Sequence, residues 1–134
     1  LIEELSKNKV PYNLNTISQV IATNVLRHPE KILENVEEVV YERERLYKNL
    51  KNIEERCSKK IVFYKSKANF IFGRSVIKEE IKRVLDDNGI LIRYFKDDSF
   101  RITVGSSLEN DLVVNVIESA VLSREAVFNE NITN

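Results

Sequence analysis

Asn88-Gly89-Ile90-Leu91-Ile92-Arg93-Tyr94-Phe95-Lys96-Asp97-Asp98-Ser99-Phe100-Arg101-Ile102-Thr103-Val104 is the stretch on which the fold of this chain turns. Two runs rich in β-branched and aromatic residues, Ile90–Phe95 and Phe100–Val104, flank a polar segment suited to a turn, which predicts a β-hairpin. Asn88-Gly89 supplies the left-handed residue that ends a helix. Val76–Asp87, with Ile77, Ile81, Val84 and Leu85 on one side, reads as that helix. Alternation along the second strand sends Phe100, Ile102 and Val104 to a helix-covered face and Arg101 with Thr103 to the other. The side taken by Arg93 depends on the parity of the turn. Pairing Phe95 with Phe100 puts Arg93 opposite Arg101, whereas an odd loop or a bulge puts both arginines on one face.

Upstream, Ile61–Tyr64 and Asn69–Gly73 read as two further strands. Before them, Ile17, Val20, Ile21 and Val25 fall at helical spacing over Thr16–Leu26, with Asn15 placed to cap the start. Pro29 stops that helix and opens a long one ending near Arg56, whose apolar positions run through Ile32, Leu33, Val36, Val39, Val40, Leu46, Tyr47, Leu50 and Ile53. Its outward positions carry Glu34, Glu37, Glu38, Glu42, Arg43, Glu44, Lys48 and Lys51, acidic early and basic late, which suits a solvated face that complements the helix dipole. Downstream, Ser106 and Glu109 stand at capping-box spacing ahead of a helix expected to bury Leu112, Val113, Val116, Ile117, Ala120 and Val121. The sum is an α+β fold: a small, mostly antiparallel sheet with helices packed on one face.

The 134 residues are 43% hydrophobic and 31% charged, enough for a modest core, and 21 basic residues balance 21 acidic ones. That balance gives no basic field for nucleic acid and no attraction to an anionic membrane. No apolar stretch reaches the roughly 18 residues of a membrane helix, and no secretory leader is apparent, so a cytoplasmic location is expected. Cys57 and His28 are each the only residue of their type, which removes the material for a disulfide or a zinc site. No metal is expected. The chain begins with Leu1, and its opening residues read as the middle of a longer sequence, so a fragment is expected.

Arg101 is the lead candidate for function. A mid-strand arginine on an uncovered sheet face is either a solvated, ion-paired surface residue or a planar fork for both oxygens of a carboxylate. Lys67, in Ser66-Lys67-Ala68, has the look of an imine-forming lysine. Such a lysine must lose its proton near neutral pH, which a short loop among Lys59, Lys60 and Lys65 does not favour, and no Gly-rich phosphate cradle follows. Cys57, with no identifiable base, reads as structural, and His28 as an interhelix residue. On the open face no clearly presented aromatic pair is expected, which counts against RNA binding.

Gly89-Ile90-Leu91-Ile92-Arg93, then Phe100-Arg101-Ile102-Thr103-Val104-Gly105 with Glu109-Asn110, are similar to the end of histidinol-phosphate aminotransferases, a branch of the fold-type-I, class II pyridoxal-phosphate aminotransferases. Two upstream blocks agree in order: Val10-Pro11-Tyr12-Asn13-Leu14-Asn15 and Ser66-Lys67-Ala68-Asn69-Phe70-Ile71. The resemblance implies a carboxy-terminal small domain at 16–126, entered through 1–15 from a missing large domain and followed by a polar tail at 127–134. It implies that pyridoxal phosphate and its lysine belong to the full-length parent, so that no catalytic or cofactor-binding residue lies in this chain and the isolated piece is inactive. Arg101 matches the arginine that grips the substrate carboxylate, and Arg93 a second arginine near the substrate that serves its phosphate. The turn between them is shorter than in many relatives. Tyr12, Asn13 and Asn15 match the segment near the dimer's active sites. The implied reaction is amino transfer between histidinol phosphate and 2-oxoglutarate in histidine biosynthesis, by a homodimeric parent without nucleic-acid or membrane partners. Two alternatives stay open: a sister activity, such as an aromatic aminotransferase or a threonine-phosphate decarboxylase, and a stand-alone α+β ligand-binding module.

Overall fold

A computed structural model describes residues 2–7, 14–57 and 61–130, without the side chains of 5, 6 and 122–130. The elements are α1 (Ile2–Lys7), α2 (Thr16–Leu26), α3 (Pro29–Arg56), β1 (Ile61–Tyr64), β2 (Phe70–Ser75), α4 (Lys78–Asp87), β3 (Arg93–Tyr94), β4 (Ser99–Thr103) and α5 (Ser107–Glu130). They divide into two compact units, one ending at Val36 and the other beginning at Glu37. The expected tail from 127 overlaps α5, whose backbone runs past Ala126. Residues 131–134 lie outside the described residues.

In the first unit, α2 starts where the Asn15 side chain accepts a hydrogen bond from the Ser18 N–H at 2.8 Å, satisfying a donor that the first helical turn leaves free. Pro29 occupies the first position of α3, where its missing N–H costs no helical bond. The α2 sequence contains no charged residue, yet none of its residues is buried. Ile17 and Leu26 are both 72% exposed.

The second unit is α+β. Its four strands form one antiparallel sheet in the order β1-β2-β4-β3. Ile61, Phe63, Ile71, Phe100 and Ile102 point from the inner face into a core shared with Leu46, Leu50 and Ile53 of α3, Ile81 and Leu85 of α4, and Val113, Val116, Ile117 and Val121 of α5. Cys57 is buried in the same core, directly after α3. The capping box of α5 forms as expected: the Ser106 N–H donates to Glu109 Oε2 at 2.8 Å, and the Glu109 N–H donates to Ser106 Oγ at 3.4 Å. Gly89, at φ 71°, ends α4, and the Ile90 N–H returns to the Leu85 carbonyl at 2.9 Å.

Three expectations need correction. The buried stripe of α3 begins with Glu42, 5% exposed, and continues through Leu46, Leu50 and Ile53, whereas Leu33, Val36, Val39 and Val40 are exposed. Glu42 is therefore no part of a solvated face, because steps of four and three residues put it in line with the core. Leu112, expected inside, is half exposed. The first hairpin strand pairs only at Arg93–Tyr94 rather than along Ile90–Phe95. Instead of a ladder, a cleft of about 400 Å³ separates residues 88–92 from the end of β4 and the start of α5, and Leu112 borders it.

Among the described residues no helix is long and apolar enough to cross a membrane, and no group of three His, Cys, Asp or Glu side chains is placed to hold a metal.

Candidate functional site

The register of the sheet decides the question that turn parity left open. Arg93 pairs directly with Arg101, and Tyr94 with Phe100. Directly paired residues of antiparallel strands share a face, so both arginines project from the side opposite the core. Parity comes out this way because the Phe95 N–H donates to the Ser99 carbonyl at 3.1 Å, leaving an odd loop of Lys96, Asp97 and Asp98. Asp97 accepts hydrogen bonds from the Ser99 N–H, at 3.1 Å, and from its hydroxyl. The Lys78 ammonium, reaching across from α4, donates to the carbonyls of Phe95, at 3.0 Å, and of Asp97.

One row of directly paired residues then crosses the outer face: Tyr64, Phe72, Arg101 and Arg93. Phe70 pairs with Thr103 in the neighbouring row. The rings of Tyr64 and Phe72 are 5.9 Å apart, and those of Phe72 and Phe95 are 6.0 Å apart. The Arg101 guanidinium lies 5.0 Å from the centre of the Phe70 ring, and that of Arg93 lies 5.5 Å from the centre of the Phe95 ring. Arg101 Nε is buried and has no hydrogen-bond partner among the described residues. Among the described residues no carboxylate forms an ion pair with either arginine; the nearby Arg74 is the one that meets Asp97, at 4.0 Å.

The outer face therefore does carry aromatic pairs, against expectation. The signal was available in the alternation of Ile61-Val62-Phe63-Tyr64 and Phe70-Ile71-Phe72, whose even-numbered residues share the phase of Arg101 once the strands are paired. Two adjacent cations without counter-charges among the described residues, on a half-exposed, aromatic-floored surface, can take up an anion with two acidic groups, each guanidinium presenting parallel N–H donors to one of them. Neither arginine lines the cleft beside α5.

The other candidates fall outside this cluster. Lys67 is exposed in the loop between β1 and β2, where the Ala68 N–H donates to Ser66 Oγ at 3.0 Å. His28 stands exposed between α2 and α3, with Nδ1 3.4 Å from Glu30 Oε1. Asn15 caps α2, and Tyr12 and Asn13 lie outside the described residues. A pyridoxal phosphate site needs a lysine beside a phosphate cradle. Lys67 is exposed, and the buried Lys78 is committed to the hairpin carbonyls, so neither of these two lysines presents a free, buried amine to that cofactor.

Comparison with known proteins gives a consistent picture. The family model for aminotransferase class I and II matches residues 1–119. A histidinol-phosphate aminotransferase of Clostridium novyi is 37% identical over 122 residues, covering 88% of this chain and 33% of that protein. One from Thermoanaerobacter pseudethanolicus is 36% identical over 127 residues, covering 91% of this chain and 34% of that protein. The chain thus spans about a third of the length of these curated relatives. Among solved structures, a decarboxylase from Sulfurospirillum multivorans superposes with a TM-score of 0.71 at 23% identity, over 90% of this chain and 36% of that one, a likeness of fold.

Proposed function

The chain belongs to the class I and II aminotransferase family, and on that premise we propose that it is the carboxy-terminal small domain of a pyridoxal-phosphate-dependent transaminase working between histidinol phosphate and 2-oxoglutarate. In this reading residues 16–126 form the domain, 1–15 lead in from a large domain, and 127–134 form the tail. The large domain holds the cofactor, which carries the amino group between the two substrates. The parent is a cytoplasmic homodimer of histidine biosynthesis, and this chain alone does not turn over substrate.

The observation that carries the proposal is the Arg93–Arg101 pair, side by side on the outer face without a counter-carboxylate among the described residues. 2-Oxoglutarate is a dicarboxylate, whereas histidinol phosphate is an amino alcohol whose acidic group is a phosphate. Arg101 grips the keto acid's carboxylate in a bidentate fashion, and Arg93 takes the second anionic group or the phosphate. The domain thereby orients substrate, and loss of such a clamp misplaces the reacting carbon.

The test is made in the full-length enzyme. Arg101→Ala is expected to lower kcat/KM for 2-oxoglutarate about 100-fold while cofactor absorbance is retained. Arg93→Ala is expected to weaken histidinol phosphate more than the keto acid. Unchanged constants for both substrates in the Arg101 variant overturn the reading. A preference for an aromatic amino acid over histidinol phosphate as donor assigns the enzyme to a sister activity.

A further inference from the structure

Adjacent guanidinia across a ladder repel one another, so something must hold Arg101 beside Arg93. In the register Arg101 has Phe72 on one side and Arg93 on the other. Among the described residues its guanidinium meets no carboxylate, and its buried Nε meets no acceptor. What it does meet is the Phe70 ring, diagonally across from it and 5.0 Å away. The face of a ring attracts a guanidinium without cancelling its charge. Among the described residues no carboxylate takes up the N–H donors of this fork, which stay available to an anion that can reach them. A carboxylate in the same place would cancel the charge and occupy those donors, competing with an incoming anion.

We propose that Phe70 is a positioning residue that seats the Arg101 guanidinium, fixing its orientation without neutralising it, so that the fork is set for the substrate's carboxylate. The proposal rests on the reading of Arg101 given above. Arg93 over Phe95, at 5.5 Å, repeats the arrangement.

Two measurements test it. In the 134-residue chain, the NMR signal of the Arg101 Nε–H group, assigned by its loss in Arg101→Lys, is expected to lie upfield through the ring current of Phe70 and to move downfield in Phe70→Leu. In the full-length enzyme, Phe70→Leu is expected to raise KM for 2-oxoglutarate about fivefold with a smaller change in kcat, on the order of 1 kcal/mol at about 1.4 kcal/mol per tenfold. Phe70→Tyr, which restores a ring, is expected to recover most of that loss. An Nε–H signal indifferent to Phe70, or equal KM values for the leucine and tyrosine variants, overturns the seat. An Arg101→Ala enzyme with unchanged constants overturns the functional reading instead, and the NMR result then still decides whether the seat exists.

Discussion

Glu42 shows how one side chain ties distant parts of the second unit together. Its carboxylate accepts hydrogen bonds from Arg45 Nε and Nη2, the latter at 2.9 Å, and from Asn110 Nδ2 at 2.8 Å. Asn110 in turn bonds both the N–H and the carbonyl of Gly105, each at 3.0 Å, and Arg45 reaches the Ser107 carbonyl at 2.9 Å. The network therefore fastens α3 to the junction just after the Arg101 strand. The hydrogen bond from Arg45 holds the Glu42 carboxyl below its ordinary 4.5, with Asn110 adding to the effect and burial opposing it. A carboxyl whose folded pKa is depressed contributes stability that is fully present above the unfolded value and is lost as pH falls through the folded one. Glu42→Gln is thus expected to cost about 1–2 kcal/mol near neutral pH and to flatten the decline in stability below about pH 4.5. Urea unfolding across the acid range checks this; superimposable acid limbs for the two proteins would show that Glu42 does not titrate with folding.

Within the sheet, Gly73 allows the aromatic packing of the inner face. A Cβ at this position would stand 2.7 Å from two carbons of the Phe100 ring and 3.1 Å from the Phe63 ring. Those rings meet edge to face at 6.1 Å. A glycine in a strand costs conformational entropy, but alanine here must push a fully buried ring out of place. Gly73→Ala is expected to destabilise by about 1–3 kcal/mol, read as a lowered thermal midpoint; an unchanged midpoint would mean that the rings yield freely. The bounds of α2, α3 and β1 followed directly from apolar spacing and from Asn15 and Pro29, because capping and period are local properties. The parity of the hairpin did not. It is fixed by the Phe95 N–H bond to the Ser99 carbonyl, in a loop whose Phe95 and Asp97 carbonyls are also held by Lys78 of α4, a tertiary contact that no reading of residues 90–104 contains. Glu42 was assigned outward on its charge, although its phase already matched Leu46 and Leu50.

Across the whole chain, the face of Arg101 was legible from the alternation of a single strand, whereas its aromatic surroundings required the pairing of three others. Stability is distributed as unevenly as burial. Central strands β2 and β4 are paired on both sides, and their inner residues Ile71, Phe100 and Ile102 are at most 1% exposed. By contrast, α2 has 11 residues and buries none, and a helix of fewer than about 12–15 residues is marginal in water without packing. Its fate is then set by local opening and not by the global unfolding of the core. In hydrogen exchange on the 134-residue chain, the amides of Thr16–Leu26 are expected to exchange at the earliest times, while those of Ile71, Ile102 and Leu46–Ile53 stay protected to near the global limit. Protection of α2 equal to that of the central strands would mean that its apolar side chains are covered in solution.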